Sequence, residues 1–167
     1  MSFARKVETE NAHQVFRARL KSSSKETKIA GDMVTIDIQY QGELHCEAVH
    51  QPSGARLSTD APKDNMGKGE SFSPTDLVAT ALGTCMMTLM GIAARPLNVD
   101  LTGTRISVQK EMVATPMRRI GRLGVKITVP ARLTAEQKQK LEQAALSCPV
   151  HKSLHPDVQM PVEFVWA

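Results

Sequence analysis

The chain has 167 residues, enough for one domain with a sizeable core, or for a domain plus an arm. Hydrophobic residues make up 41% and charged residues 23%, an ordinary globular balance. The net charge of +4 is dispersed and aromatics are only 4%, which excludes a basic nucleic-acid tract and a base-stacking platform. With 9 methionines, the expected core is built from Ala, Val, Leu and Met.

Residues 1–31 read as a polar, helix-compatible arm followed by a linker at Lys21–Lys25. Arg5, Lys6, Glu8 and Glu10 leave no room for an apolar signal core there. Residues 32–167 read as the folded domain. Val34, Ile36, Ile38 and Tyr40 alternate with polar residues, the pattern of a half-buried strand. Gln41-Gly42 turns the chain, and Leu44, Cys46 and Ala48 alternate in the returning strand. A third short strand fits Ala55–Ser58, and the Gly-, Lys- and Asp-rich stretch Asp60–Ser71 is a loop.

Ser73, Pro74 and Asp76 predict a helix start. The serine caps, the proline pre-sets φ, and the acid answers the helix dipole. The helix that follows is apolar on nearly every face, so it is expected to be central and buried. Leu77, Ala81, Cys85 and Leu89 share one stripe. Thr80, Thr84 and Thr88 interrupt the apolar run and Arg95-Pro96 ends it, so no membrane span is expected. Strands return at Val99–Met112 and Leu123–Val129, joined across Thr115–Gly121. Thr134 with Gln137 caps a second helix, Cys148-Pro149 starts a short third one, and Val162, Phe164 and Trp166 make a last strand. This order is an α+β domain with a buried helix laid on a sheet. Such a helix needs more cover than one small sheet supplies, so a homodimer is expected.

The chemistry lies in the thiols. Three cysteines, an odd number, without a signal core predict a reducing, cytoplasmic setting in which any disulfide is catalytic or regulatory. By position alone Cys85 reads first as a small core residue. It lies too deep in its helix to feel the N-terminal dipole. As a nucleophile it needs a cation from another element, with Arg19, Arg56 and His151 as candidates. Cys148, with Pro149 at the first helical position, sits where helix amides favour a thiolate. Cys46 reads as core packing. Cys148 and His151, with His155, Cys85 and His45, supply zinc-type ligands. Structural zinc sites carry two close ligand pairs and only one is visible, so no metal and no cofactor is assigned.

The stretch from Ser73-Pro74-Thr75-Asp76-Leu77 to Gly83-Thr84-Cys85, together with Cys148-Pro149-Val150-His151-Lys152-Ser153-Leu154, resembles the OsmC/Ohr family of osmotically induced and organic-hydroperoxide-resistance proteins. The separation of the two cysteines is close to that of the family. The resemblance implies an OsmC-like fold, antiparallel sheets packed on a long central helix in an intertwined homodimer. It also implies Cys85 as peroxidatic and Cys148 as resolving cysteine, a small-molecule or organic-hydroperoxide substrate, and an external dithiol reductant. One alternative within the family is a protein that binds an apolar or thiol-reactive molecule with little turnover. Peroxidase members carry a glutamate just after the proline and pair it with an arginine. Here the position is Thr75, which predicts slow or narrow peroxidase activity, improved by Thr75→Glu only if an arginine lies opposite.

Overall fold

A computed structural model describes Gly31 and residues 33–167; the predicted arm otherwise lies outside the described residues. The chain divides into two units, Met1–Thr35 and Ile36–Ala167, and every described strand and helix belongs to the second.

Strands β1 (Ile36–Gly42), β2 (His45–His50) and β3 (Arg56–Thr59) form an antiparallel sheet in that order. The β1–β2 turn falls one step later than Gln41-Gly42. Gly42 pairs with His45, and the two residues between them, Glu43 and Leu44, both take positive φ. That is the backbone of a primed two-residue hairpin turn, whose twist matches the strands. The apolar residues of β1 do not become half-buried as their alternation predicts. Ile36, Ile38 and Tyr40 are 57%, 69% and 62% exposed. The strand is where the pattern predicts it, but among the described residues of its own unit nothing covers that face.

The loop from Asp60 to Phe72 holds a single 3₁₀ turn, Lys63–Asn65. It closes on itself: Gly67 N–H donates to Pro62 O, Gly69 N–H to Ala61 O, and Asp60 N–H to Phe72 O. A Cβ on Gly67 would stand 1.7 Å from the Ala61 oxygen, so the close approach requires glycine here.

Helix α1 (Pro74–Ala94) follows, with the predicted capping box formed in both directions between Ser73 and Asp76. It ends at Ala94 in a 3₁₀ turn, Arg95–Leu97, that carries Pro96. Together, Pro74–Leu97 are long and apolar enough to cross a bilayer, contrary to the expectation from the threonines. The threonines cost the helix little, because Thr80, Thr84 and Thr88 donate their hydroxyls to carbonyls one turn back. The apolar side is used inside the protein instead. Leu82, Met86 and Met90 are fully buried and Ala79, Gly83 and Ala94 are buried beside them.

The second sheet orders β4 (Arg105–Val113), β5 (Arg119–Val129) and β6 (Val162–Trp166). Strands β4 and β5 are antiparallel. The β6 strand returns parallel to β5 after helices α2 (Ala135–Leu146) and α3 (Pro149–Ser153) have crossed over. Leu123, Val125, Ile127 and Val129 face inward at period two. They meet α1, Leu141 and Ala145 of α2, and Cys148 in one core. Gly83 lets α1 settle on β4, since a Cβ there would reach the Val108 methyl at 3.0 Å. At the far edge Phe164 and Trp166 stack with centroids 5.7 Å apart, and the Trp166 indole donates to Glu142 of α2.

Candidate active site

Two places along α1 carry polar chemistry. The first is its N-terminus. Ser73 is buried, and its hydroxyl accepts from the Asp76 amide while its own amide donates to the Asp76 carboxylate. Lys110 reaches in from β4 and donates to Thr75 Oγ1 at 2.9 Å and to Asp76 Oδ1. Burial alone would raise the pKa of Asp76. The hydrogen bonds from Lys110 and Ser73 outweigh it and hold the carboxyl below its ordinary value. Lys110 escaped the sequence reading, although the signal was present. It occupies the inward phase of β4 with Ile106, Val108 and Met112, where a charge stands out.

The second place is the meeting of α1 with the α2–α3 junction. Cys85 is half-buried on α1 and packs against the core cluster, which includes the fully buried Cys148. Cys148 is the N-cap of α3; its sulfur accepts the His151 amide at 3.4 Å. The expected thiolate-favouring effect of this cap is outvoted. Burial pushes the Cys148 thiol up, and the neighbouring Cys85 side chain pushes it further. The amides of His151 and Val150 act in the opposite direction without prevailing. A helix of only five residues offers little dipole to oppose desolvation. All three cysteines are free thiols.

The remaining sequence candidates separate. Cys46 lies on β2 opposite Tyr40 and Thr59, half-buried, and is not part of the core cluster. Arg56 pairs with Glu47 at 2.7 Å on the first sheet. The His151 ring nitrogen Nδ1 is buried and lacks a hydrogen-bond partner among the described residues. Arg19 lies outside the described residues. The zinc-type set of Cys148, His151, His155, Cys85 and His45 is not gathered. Among the described residues, only His45, Asp60 and Glu70 bring three such ligand atoms together. Among the described residues a lysine, Lys110, stands opposite Thr75, where a gain from Thr75→Glu depends on an arginine.

Between α1 and β4 runs an open groove of about 900 Å³. Ala79, Gly83, Ile106 and Val108 give it an apolar wall, and Asp76 and Lys110 give it a polar end. Neither cysteine of the pair lines it. Thr84 does, and Cys85 is the next residue along the helix.

The comparisons with known proteins agree with this architecture. The family model described as OsmC-like protein matches residues 67–163. A crystal structure from Psychrobacter arcticus, of a protein named for osmotic stress induction and a detoxification response, shares 43% identity. It has a TM-score of 0.75 and covers 83% of this chain and 99% of that one. An organic hydroperoxide resistance protein OsmC from Legionella pneumophila has the same fold at 16% identity, with a TM-score of 0.64 over 82% of this chain and 99% of its own. So does an organic hydroperoxide resistance protein of Vibrio cholerae with captopril bound in one of its active sites. Its identity is 16% and its TM-score 0.64, over 84% of this chain and 95% of that one. No curated protein matches the chain. With more than half of its length matched by the family and a relative of this identity across its domain, the chain belongs to the OsmC-like protein family.

Proposed function

We propose that the protein is a thiol-dependent peroxidase that reduces organic hydroperoxides through Cys85 and Cys148. The observation that carries the reading is the adjacency of a half-buried thiol and a fully buried one, both reduced, drawn from distant parts of the chain. The names of the Legionella and Vibrio proteins of the same fold support it at the level of the family. In the proposed cycle Cys85 acts as a thiolate and attacks a peroxide oxygen. The O–O bond breaks, the alkoxide leaves and takes a proton to become an alcohol, and Cys85 is left as sulfenic acid. The Cys148 sulfur then attacks Cys85. An S–S bond forms, the S–OH bond breaks and water leaves. An external dithiol returns two electrons by exchange and restores both thiols. A raised pKa keeps Cys148 from competing with Cys85 for the peroxide; to attack the sulfenic acid it gives up its proton, which leaves with the hydroxyl as water. The working unit is a homodimer in a reducing cytoplasm, a reading supported by the uncovered apolar face of β1 and by the free thiols.

A second reading, a family member that binds an apolar or thiol-reactive molecule with little turnover, is favoured by the groove along α1, which neither cysteine lines. Lys110 in place of an arginine also points to slow chemistry. Thiol counting with cumene hydroperoxide separates the two. A peroxidase loses two of its three thiols, joined as Cys85–Cys148 by mass mapping, and Cys85→Ser loses neither. Unchanged thiols favour the binder, and a dominant Cys46 linkage contradicts the assignment.

A further inference from the structure

The loop from Asp60 to Phe72 holds a polar cluster that the thiol chemistry does not use. Asp60 is fully buried, yet its Oδ1 has no hydrogen-bond partner among the described residues. Its other oxygen accepts the Glu70 amide at 2.8 Å. His45 Nε2 stands 3.5 Å from Asp60 Oδ1 and 3.5 Å from Glu70 Oε2, and all three ligand atoms lie within 4.8 Å of one another. These are long for N–H···O hydrogen bonds, which run to about 3.2 Å. They are the right edge for something else. In a tetrahedron with ligand distances of about 2.1 Å, ligand atoms stand roughly 3.4 Å apart.

We infer that His45, Asp60 and Glu70 form a binding site for a divalent transition-metal ion of the zinc type. The donors are one imidazole and two carboxylates, a set that suits Zn²⁺ and its first-row neighbours. The Glu70 amide donates to one Asp60 oxygen and so orients the carboxylate, leaving Oδ1 turned toward His45 and free to ligate. Lys68 is tied to Glu43, and Asp60 Oδ1 has no hydrogen-bond partner among the described residues. The site is preformed by backbone. Asp60 is fixed by its own amide to Phe72, and the turn between Asp60 and Glu70 is closed by Gly67 and Gly69. Entry is open, because the Glu70 side chain is 64% exposed. The ion would clip β2, the end of β3 and the segment leading into α1. Glu70 also lines the groove along α1, so occupancy would set that wall.

The test is titration of the metal-stripped full-length chain with Co²⁺, followed by visible absorption, with Zn²⁺ as competitor. One ion binds per chain, without a thiolate-to-cobalt charge-transfer band. Glu70→Gln and His45→Ala each weaken binding by at least about tenfold. Zn²⁺ raises the thermal midpoint of the wild type and not that of Glu70→Gln. Glu70 is exposed, so its substitution leaves the fold intact where Asp60→Asn, at a buried site, could disturb it. No saturable binding, or binding indifferent to Glu70→Gln, overturns the proposal. So does a thiolate band, which would put the ion on Cys46, Cys85 or Cys148.

Discussion

A cysteine's reactivity follows from what surrounds its sulfur, and the two thiols of the pair are surrounded differently. Cys148 is wholly enclosed and Cys85 is half-open. Burial favours the neutral thiol of Cys148, and its neighbour Cys85 reinforces this. Because the folded pKa is raised, the folded state holds this proton more tightly than the unfolded chain does. That preference stabilises the fold fully below the unfolded pKa and is lost as pH rises through the folded one. Alkylation by iodoacetamide in the reduced protein is therefore expected to modify Cys148 last of the three. Its rate should rise only at a pH above that of an ordinary thiol, near 9.0. Peptide mapping across a pH series checks this, and early Cys148 labelling near neutral pH would reverse the roles given to the two sulfurs. The motifs named both cysteines in the sequence but misjudged Cys148. A cap position is legible from Cys148-Pro149, whereas the depth at which the fold buries it is not.

At the scale of the element, α1 is held in place by its ends and by a small residue in the middle. The capping box was readable from Ser73, Pro74 and Asp76 because it is local chemistry. The lysine that completes it was not, because Lys110 arrives from β4, a strand whose pairing with the helix is a tertiary fact. Asp76 thus both caps the helix and ties it to the sheet. Asp76→Ala is expected to destabilise the fold by roughly 1 kcal/mol, the ordinary net cost of losing such a hydrogen bond, since it removes the acceptor of the Ser73 amide and of Lys110. The sign with pH follows from the lowered pKa. The contribution is present above the unfolded value near 3.8 and lost as pH falls through the folded one. Urea melts of wild type and Asp76→Ala should therefore differ at neutral pH and converge in acid. A gap that persists in acid would mean that Asp76 holds the helix end without its charge, through packing and the hydrogen bonds of the neutral acid.

The whole molecule shows where alternation in a sequence stops being informative. On β5 the apolar phase predicted burial, and Leu123, Val125, Ile127 and Val129 are buried under α1 and α2. On β1 the same signal predicted burial, yet Ile36, Ile38 and Tyr40 are open, with Leu57 of β3 also 40% exposed. Period two reports that a face is apolar; it does not report which chain covers it. Leaving four large apolar side chains of one small sheet in water is unfavourable by about 25 cal/mol for each Å² that burial would remove. A second copy of the chain is the partner the proposed function supplies, and an isologous interface would bury the same patch on both subunits. Sedimentation should give a dimer of the 18.3 kDa chain at micromolar concentration. A charge in the middle of the patch should then be tolerated by the isolated fold but not by the interface, since its neighbours there are already solvated in one chain. Ile38→Asp is accordingly expected to shift the protein toward monomer while its circular dichroism remains that of the wild type. A wild type that sediments as a monomer, or an Ile38→Asp protein that stays dimeric, would show that the apolar face of β1 is not the surface through which two chains meet.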